Sequence, residues 1–310
     1  MSPLLDEAGR EGAFEALRGA LNSNSLILLA GSGLSAQAST DDGRHPPLWR
    51  GLLEGMVDWC MKQRLLSGEH AQSIRELVLH DFLTEAGQEL EENVEKPYLH
   101  QCLARVLLCN EAKIGEAHHL IAQIPFRAYL TTNYDEFIEG AYWAERGVAL
   151  RKFYEDSCDG ALACFRETIP FILKLHGDVS SSIVLGDRAY DRLLYGSNKY
   201  RSNLESLFAV SSVLLVGFGG SDPDLKGIID KVAVFDGRSK RHWMLIPKDV
   251  FPHLKAKRLW KDRGINVIEY EVDTTHSGVV KFLRTLATPQ PLAPAGPQER
   301  GKTKSLASSR

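Results

Sequence analysis

The stretch LLAGSGLSAQ, residues 28–37, joins a short apolar run to two glycines and two serines. Apolar runs of this length are typical of buried β-strands. A strand that ends in Gly-x-Gly can turn tightly, and the helix that follows it can direct free N–H groups at an anion. A plain strand-to-helix turn explains the stretch equally well, because the third glycine of the usual dinucleotide fingerprint is missing.

Six apolar runs, including this first one, have the composition of buried strands. They are SLILLA (25–30), FRAYLTT (126–132), FILKL (171–175), SVLLVGF (212–218), HWMLIP (242–247) and INVIEYE (265–271). Their hydrophobicity is nearly continuous rather than alternating, which is typical of parallel strands that are covered on both faces. Helical segments lie between them. The sequence therefore predicts an α/β fold with a doubly wound, mostly parallel, Rossmann-like sheet.

Two segments differ from this pattern. Residues 47–124 carry apolar residues at helical spacing and contain no convincing strand, so we interpret them as a helical insertion that forms a lobe over the sheet. Residues 288–310 are rich in Pro, Ser and charge and have almost nothing to bury. We therefore expect one domain over residues 1–287, followed by a disordered tail.

The composition predicts an ordinary globular protein. Its 310 residues are 44% hydrophobic and 25% charged, and a net charge of −3 gives no general attraction to nucleic acid or anionic lipid. We find no apolar run long enough to span a membrane and no secretory leader. The five cysteines form no C-x-x-C pair, so we expect reduced thiols, a cytoplasmic location and no metal.

Polar side chains or glycines also follow three of the later strands. The residues are Thr132, Asn133 and Asp135 in TTNYD, His176 in LHGD, and Gly217, Gly219, Ser221 and Asp222 in VGFGGSDP. Helix capping alone explains Asp135 and Asp222. Because the carboxyl ends of parallel strands face one crevice, we expect all four strand ends to share a ligand site. Glycine turns suit phosphates, Asn and Ser suit ribose hydroxyls, and His suits proton transfer.

As an ordered set, GSGLS, TTNYD, LHGD and VGFGGSDPDL resemble the motifs of the sirtuin-like superfamily, specifically its bacterial branch that cleaves NAD. The resemblance covers roughly residues 14–286. It implies that His176 is the general base, that Asn133 and Asp135 position the nicotinamide ribose and the attacking water, and that all three are catalytic. The NAD-binding residues that it implies are Ala30, Gly31, Ser32, Gly33, Ser35, Thr132, Asn133, Asp135, Gly217, Gly219, Ser221 and Asp222.

The resemblance implies an NAD+ hydrolase that uses NAD+ as substrate and releases nicotinamide and ADP-ribose. Deacylating sirtuins carry four zinc-binding cysteines, and no such set is present in this sequence. Two alternatives stay open: an NAD-dependent ADP-ribosyltransferase or deacylase, and a non-catalytic scaffold that binds NAD or ADP-ribose. Since Asn133 and His176 are both intact, the sequence favours an active enzyme.

The resemblance also implies partners and control. Enzymes of this branch often deplete NAD in antiviral defence and are held inactive until triggered. We therefore expect a homo-oligomer, a separately encoded regulatory protein such as a ring ATPase or an Argonaute-type protein, or both. Neither direct nucleic-acid binding nor membrane association is expected. The helical lobe is our candidate for the contact surface.

Overall fold

A seven-stranded parallel sheet forms the centre of the fold in the computed structural model, which describes residues 7–196, 198–219, 242–249 and 252–288. The strands are β1 (Leu26–Ala30), β2 (Ala128–Thr131), β3 (Arg151–Phe153), β4 (Phe171–Lys174), β5 (Ser212–Val216), β6 (His242–Pro247) and β7 (Ile265–Tyr270). Their order in the sheet is β3-β4-β2-β1-β5-β6-β7, and every pairing is parallel. The predicted α/β fold and doubly wound parallel sheet are confirmed.

Helices cover both faces of the sheet. They are α1 (Glu7–Asn22), α2 (Ser32–Ser35), α3 (Trp49–Lys62), α4 (Gly68–Leu79), α5 (Leu83–Asn93), α6 (Lys96–Val106), α7 (Glu116–Gln123), α8 (Phe137–Arg146), α9 (Cys158–Arg166), α10 (Asp187–Asp191), α11 (Asn198–Ala209), α12 (His253–Arg263) and α13 (Ser277–Ala287). Helices α1, α7, α8 and α13 pack on one face, and α9 to α12 pack on the other. Alternate residues of each strand enter the two cores, which is why the strands are apolar without interruption.

Strand β3 was not predicted from the sequence. It is only three residues long and lies at the edge of the sheet, where Arg151 is exposed and the next two side chains are half-buried. A short edge strand has no run of apolar residues for a pattern to detect.

Helices α3 to α6 pack around a separate apolar core. Leu53, Met56 and Val57 of α3 and Leu103 of α6 are all fully buried in it. This core also takes in Tyr134, from the loop after β2, so the lobe rests directly on the carboxyl edge of the sheet. Helix α7, in contrast, packs in the layer that covers the sheet.

The first strand lies at the point where the direction of the sheet order reverses. After β1 the chain forms β2, β3 and β4 on one side of it, with β3 at the edge, and later β5, β6 and β7 on the other side. In such sheets the crevice at this switch point is where ligands bind. The two glycine turns after β1 and β5 therefore meet at the switch-point crevice, where ligands bind in sheets of this topology.

The two turns are in direct backbone contact. The N–H of Gly31 donates to the carbonyl of Val216 (2.9 Å), and the N–H of Gly33 donates to the carbonyl of Gly217 (2.8 Å). Gly217 has a φ of +83°, and a Cβ added there would lie 2.4 Å from the backbone nitrogen of Leu34. These glycines are therefore required by the packing of the two turns, independently of any ligand.

Gly217→Ala should lower the free energy of unfolding more than Gly43→Ala does. Gly43 has nearly the same φ, +80°, but a Cβ added there would meet nothing within 4 Å. We expect a loss of about 1–2 kcal/mol at residue 43 from backbone strain alone, and at least about twice that at residue 217. Urea denaturation of both variants would measure this, and equal losses would contradict the proposed crowding of the turns.

Candidate active site

A buried hydrogen-bonded cluster joins the ends of β1 and β2. Asn133 donates through Nδ2 to the carbonyl of Gly31 (2.9 Å) and to Oγ of Ser35 (2.7 Å). The Ser35 hydroxyl donates to Oδ2 of Asp135 (2.5 Å). Asn133, Ser35 and Asp135 are all at least nine-tenths buried. Residues that are about 100 positions apart in the sequence therefore meet in one cluster.

Asp135 has a structural contact as well. Its Oδ1 accepts a hydrogen bond from the backbone N–H of Phe137 (3.1 Å), at the first residue of α8. Its backbone carbonyl accepts a hydrogen bond from Lys174, which is 1% exposed. Capping therefore accounts for one carboxylate oxygen of Asp135, and the contact with Ser35 accounts for the other.

Asn133 retains an unused acceptor. Its Oδ1 is buried and has no hydrogen-bond partner in the described part of the chain. A buried polar atom without a partner costs about 1–3 kcal/mol, so native proteins reserve such atoms for a ligand or a bound water. The Asn133 side chain is thus held through Nδ2, and its Oδ1 stays available to accept a hydrogen bond.

His176 lies beneath aromatic side chains. Its ring packs edge-on against Tyr190 (centroids 4.8 Å apart) and lies 6.4 Å from the ring of Tyr134. The Tyr190 hydroxyl is 3.4 Å from Nδ1. Burial lowers the pKa of His176 to about 3, so its imidazole is neutral at pH 7.

Asp178 holds the loop that carries His176. Its two carboxylate oxygens accept hydrogen bonds from Lys152 Nζ (3.0 Å), from the Tyr154 hydroxyl (2.9 Å) and from both the N–H and the hydroxyl of Ser180. Burial on its own would raise the pKa of this carboxyl, but these hydrogen bonds outweigh burial and lower the pKa below its usual range. Asp178 is therefore a buried carboxylate that fixes the backbone directly after the histidine.

Two cavities open at the carboxyl edge of the sheet. The inner cavity has a volume of about 30 Å³. Its polar lining includes Thr132, Asn133 and Asp135, and Trp49 and Leu107 of the lobe form part of its apolar wall. The outer cavity has a volume of about 430 Å³ and extends along the two glycine turns towards β6, β7 and the start of α13. Ser32 and Trp49 line both cavities, which are therefore adjacent.

The structure brings most of the predicted site residues to these cavities. Ser32, Ser35, Thr132, Asn133 and Asp135 line the inner cavity, and Ser32, Gly33, Gly217 and Gly219 line the outer one. Gly31 and Ala30 contribute backbone carbonyls that accept from Asn133 and from Thr131. His176 lines neither of the two cavities. Ser221 and Asp222 lie outside the described residues.

Several residues that line the cavities were not predicted. Trp49 at the start of α3 stacks on Tyr134 (6.2 Å), and its indole Nε1 is buried without a partner among the described residues. Arg50 lines the outer cavity next to it. Tyr270 and His276, which are joined by a 2.9 Å hydrogen bond, form the far wall. Helical periodicity accounts for Trp49 as a packing residue, so the sequence alone gave no separate signal for it.

Other site types find no support among the described residues. No group of three or more His, Cys, Asp and Glu side chains is placed to hold a metal ion. None of the described helices combines the length and the apolar character that a bilayer span requires. All five cysteines are free, and the closest pair, Cys60 and Cys102, have sulfur atoms 4.0 Å apart in the lobe core.

Comparison with known proteins confirms the resemblance that the motifs predicted. Residues 127–268 match the family model of the SIR2-like domain. The chain is 26% identical over 225 residues to the NAD(+) hydrolase ThsA of Cytobacillus dafuensis, a match that covers 72% of this chain and 41% of that protein. It is 31% identical over 139 residues to the NAD(+) hydrolase ThsA of Bacillus cereus, which covers 44% of this chain and 29% of that protein.

A third relative extends the same pattern. The NAD(+) hydrolase ThsA of Acinetobacter baumannii is 26% identical over 233 residues, covering 74% of this chain and 43% of that protein. The chain thus spans less than half the length of the curated relatives that it matches.

Asp178→Asn should destabilise the fold by about 3 kcal/mol at pH 7, because it removes a buried negative charge that accepts four hydrogen bonds, one of them from Lys152. Since the pKa of Asp178 is lowered on folding, its contribution is present above pH 4 and is lost as the pH falls through that lowered pKa. The difference between variant and wild type should therefore shrink in acid. Urea denaturation between pH 7 and pH 3 would measure both effects.

Asp42→Asn is the matched control for this series. Asp42 also pairs with a cation, Arg44, but its side chain is 63% exposed. We expect no measurable change in stability from this control. If Asp178→Asn lowers the free energy of unfolding no more than Asp42→Asn does, the role given to the buried carboxylate is contradicted.

Proposed function

We propose that this chain, which carries a SIR2-like domain, hydrolyses NAD+ at the bond between nicotinamide and ribose, giving nicotinamide and ADP-ribose. The observation that carries the proposal is the meeting of Asn133, Ser35 and Asp135 beside a cavity of about 430 Å³ at the sheet's switch point. That volume lies within the usual range for small-molecule sites. The names of the relatives, NAD(+) hydrolase ThsA, support the same reaction.

The side chains suit the chemistry of this bond. Nicotinamide leaves a pyridinium as a neutral molecule, so the site needs no acid to protonate it, unlike an O-glycosidase with its paired carboxylates. The site must instead orient the substrate, stabilise an oxocarbenium-like ribose and supply a base for the attacking water. Asn133 would orient the ribose through Oδ1, Asp135 would position the water, and His176 would accept its proton.

The two cavities suggest how the dinucleotide would lie. The ADP portion would occupy the outer cavity, with its phosphates at the turn of Ser32 and Gly33. The adenosine end would then extend past Gly217 and Gly219 towards the end of β7 and the start of α13, which line the same cavity. The nicotinamide ribose would face the inner cavity, which Asn133 lines.

The inner part of the site is closed in this arrangement. A cavity of about 30 Å³ holds about one water molecule, which is too little for a nicotinamide ring. The neutral state of His176 is the correct one for a base, but a pKa of about 3 makes it a weak base. Opening the site to substrate and water would raise that pKa towards its ordinary value. Catalysis therefore requires the aromatic cover of His176, or the lobe above it, to move.

This closed arrangement supports a regulated enzyme. An NAD hydrolase that is always active would deplete its own cell of NAD, and a site closed by the lobe provides a resting state. We propose that the protein is an effector that depletes NAD in antiviral defence, released by oligomerisation or by a separately encoded protein. Five free cysteines agree with the reducing cytoplasm, where we place it.

His176→Ala and Asn133→Ala should each lower NAD+ cleavage by about 100-fold or more, since this is the usual effect of losing a catalytic base or an orienting group. Chromatography of released nicotinamide would measure the rate, and circular dichroism would confirm that the variants are folded. His70→Ala changes an exposed histidine of the lobe and should leave the rate unchanged. Near-normal turnover in both site variants would remove them from the mechanism.

The products distinguish hydrolysis from the alternatives. We expect nicotinamide and free ADP-ribose in equal amounts, with water as the acceptor. ADP-ribose attached to protein would indicate a transferase, and an NAD-dependent loss of acyl groups from a lysine peptide would indicate a deacylase. Mass spectrometry of the protein, the peptide and the small molecules in one reaction separates these outcomes.

A further inference from the structure

A third cavity, which we call the annex, adjoins the outer cavity. It has a volume of about 350 Å³, and it shares four lining residues with the outer cavity: Ala36, Gln37, His45 and Thr275. Its remaining wall includes Lys281 and Arg284 of α13. The annex therefore lies at the end of the outer cavity that faces the start of α13, the direction in which the adenosine half would extend.

The annex has a positive charge that is not fully compensated. Arg284 forms an ion pair with Glu116 across it. Lys281 is exposed, and its ammonium group has no ion-pair or hydrogen-bond partner within the described ranges. In the outer cavity, by contrast, the cation Arg50 is paired with Asp81. Lys281 is thus a cation available to an anionic group that enters the annex.

The rim between the two cavities is held in place. Nδ1 of His45 lies 3.0 Å from the carbonyl of Ala36 and 2.8 Å from that of Ala38, so this nitrogen carries a hydrogen and the ring is fixed. On the opposite side, the Asp273 carboxylate accepts hydrogen bonds from the backbone N–H groups of Thr275 and Ser277. These hydrogen bonds already order both walls. A ligand therefore does not have to order them when it binds, and the entropic cost of binding is lower.

We propose that the annex binds a phosphate group carried by the adenosine ribose, so that the site accepts NADP+ as well as NAD+. A phosphate monoester carries nearly two negative charges at neutral pH, and lysine binds such groups as a point charge. The unpaired Lys281 is the principal partner, and Arg284 lies on the same helix one turn further on. This inference rests on the proposed function, because it uses the same dinucleotide in the same orientation.

The first test is the ratio of kcat/KM for NADP+ to kcat/KM for NAD+. Lys281→Ala should lower this ratio by about tenfold, the effect of losing one charge-assisted contact, and Lys281→Glu should lower it further. Because both substrates meet the same preparation, a partly unfolded variant changes both values and leaves the ratio unaltered. Lys62→Ala, at an exposed lysine at the end of α3, is the control. A ratio that stays at the wild-type value in both Lys281 variants overturns the proposal.

The second test needs no cleavage. Calorimetry with AMP and with adenosine 2′,5′-bisphosphate should show tighter binding of the bisphosphate to the wild type and no such preference in Lys281→Glu. If AMP binds and the bisphosphate binds no more tightly, the proposed phosphate site in the annex is overturned and the proposed function is unaffected. If the protein prefers the bisphosphate to AMP through Lys281 but cleaves neither dinucleotide, the result supports the phosphate site in the annex and counts against the proposed function. Binding of neither probe, or a preference that survives Lys281→Glu, also overturns the annex.

Discussion

The contact between the two glycine turns fixes the position of everything else in the site. The N–H of Gly33 donates to the carbonyl of Gly217, and the two backbones are so close that neither turn has room for a Cβ. This contact holds the carboxyl ends of β1 and β5 together at the switch point, and the outer cavity opens directly beside it. Glycine thus meets two needs at once, because the backbone approach that packs the turns also leaves backbone accessible to a ligand.

The buried cluster around Asn133 depends on that same placement. The carbonyl of Gly31 and the hydroxyl of Ser35, both from the chain after β1, hold the Asn133 amide by its nitrogen. Fixing one end of an amide decides where the other end points, so Oδ1 is presented without further adjustment. In a low-dielectric interior a single well-placed acceptor has a strong effect, and leaving it unpaired is costly. The Asn133 cluster therefore keeps one buried acceptor that a ligand or a bound water can satisfy.

The histidine and the lobe place a different constraint on function. Tyr134 lies between Trp49 and His176, so one aromatic ring contacts both the lobe and the candidate base. Any movement of α3 away from the sheet would loosen the cover of the inner cavity and would change the surroundings of His176. A low-dielectric cover keeps the imidazole neutral but also keeps it weakly basic. Packing of the lobe against Tyr134 therefore affects both the inner cavity and the surroundings of His176.

The sequence by itself determined the class of fold and the members of the cluster. Continuous apolar runs predict buried parallel strands, and because the carboxyl ends of such strands share one edge of the sheet, the sequence alone predicts that Ser35, Asn133 and Asp135 lie close together. Only the tertiary structure decided that His176 is covered, that the inner cavity is small and that Trp49 lines it. Helical periodicity shows which face of α3 is buried, but it carries no information about what that face packs against. Those properties depend on contacts between distant elements, and a local pattern does not encode them.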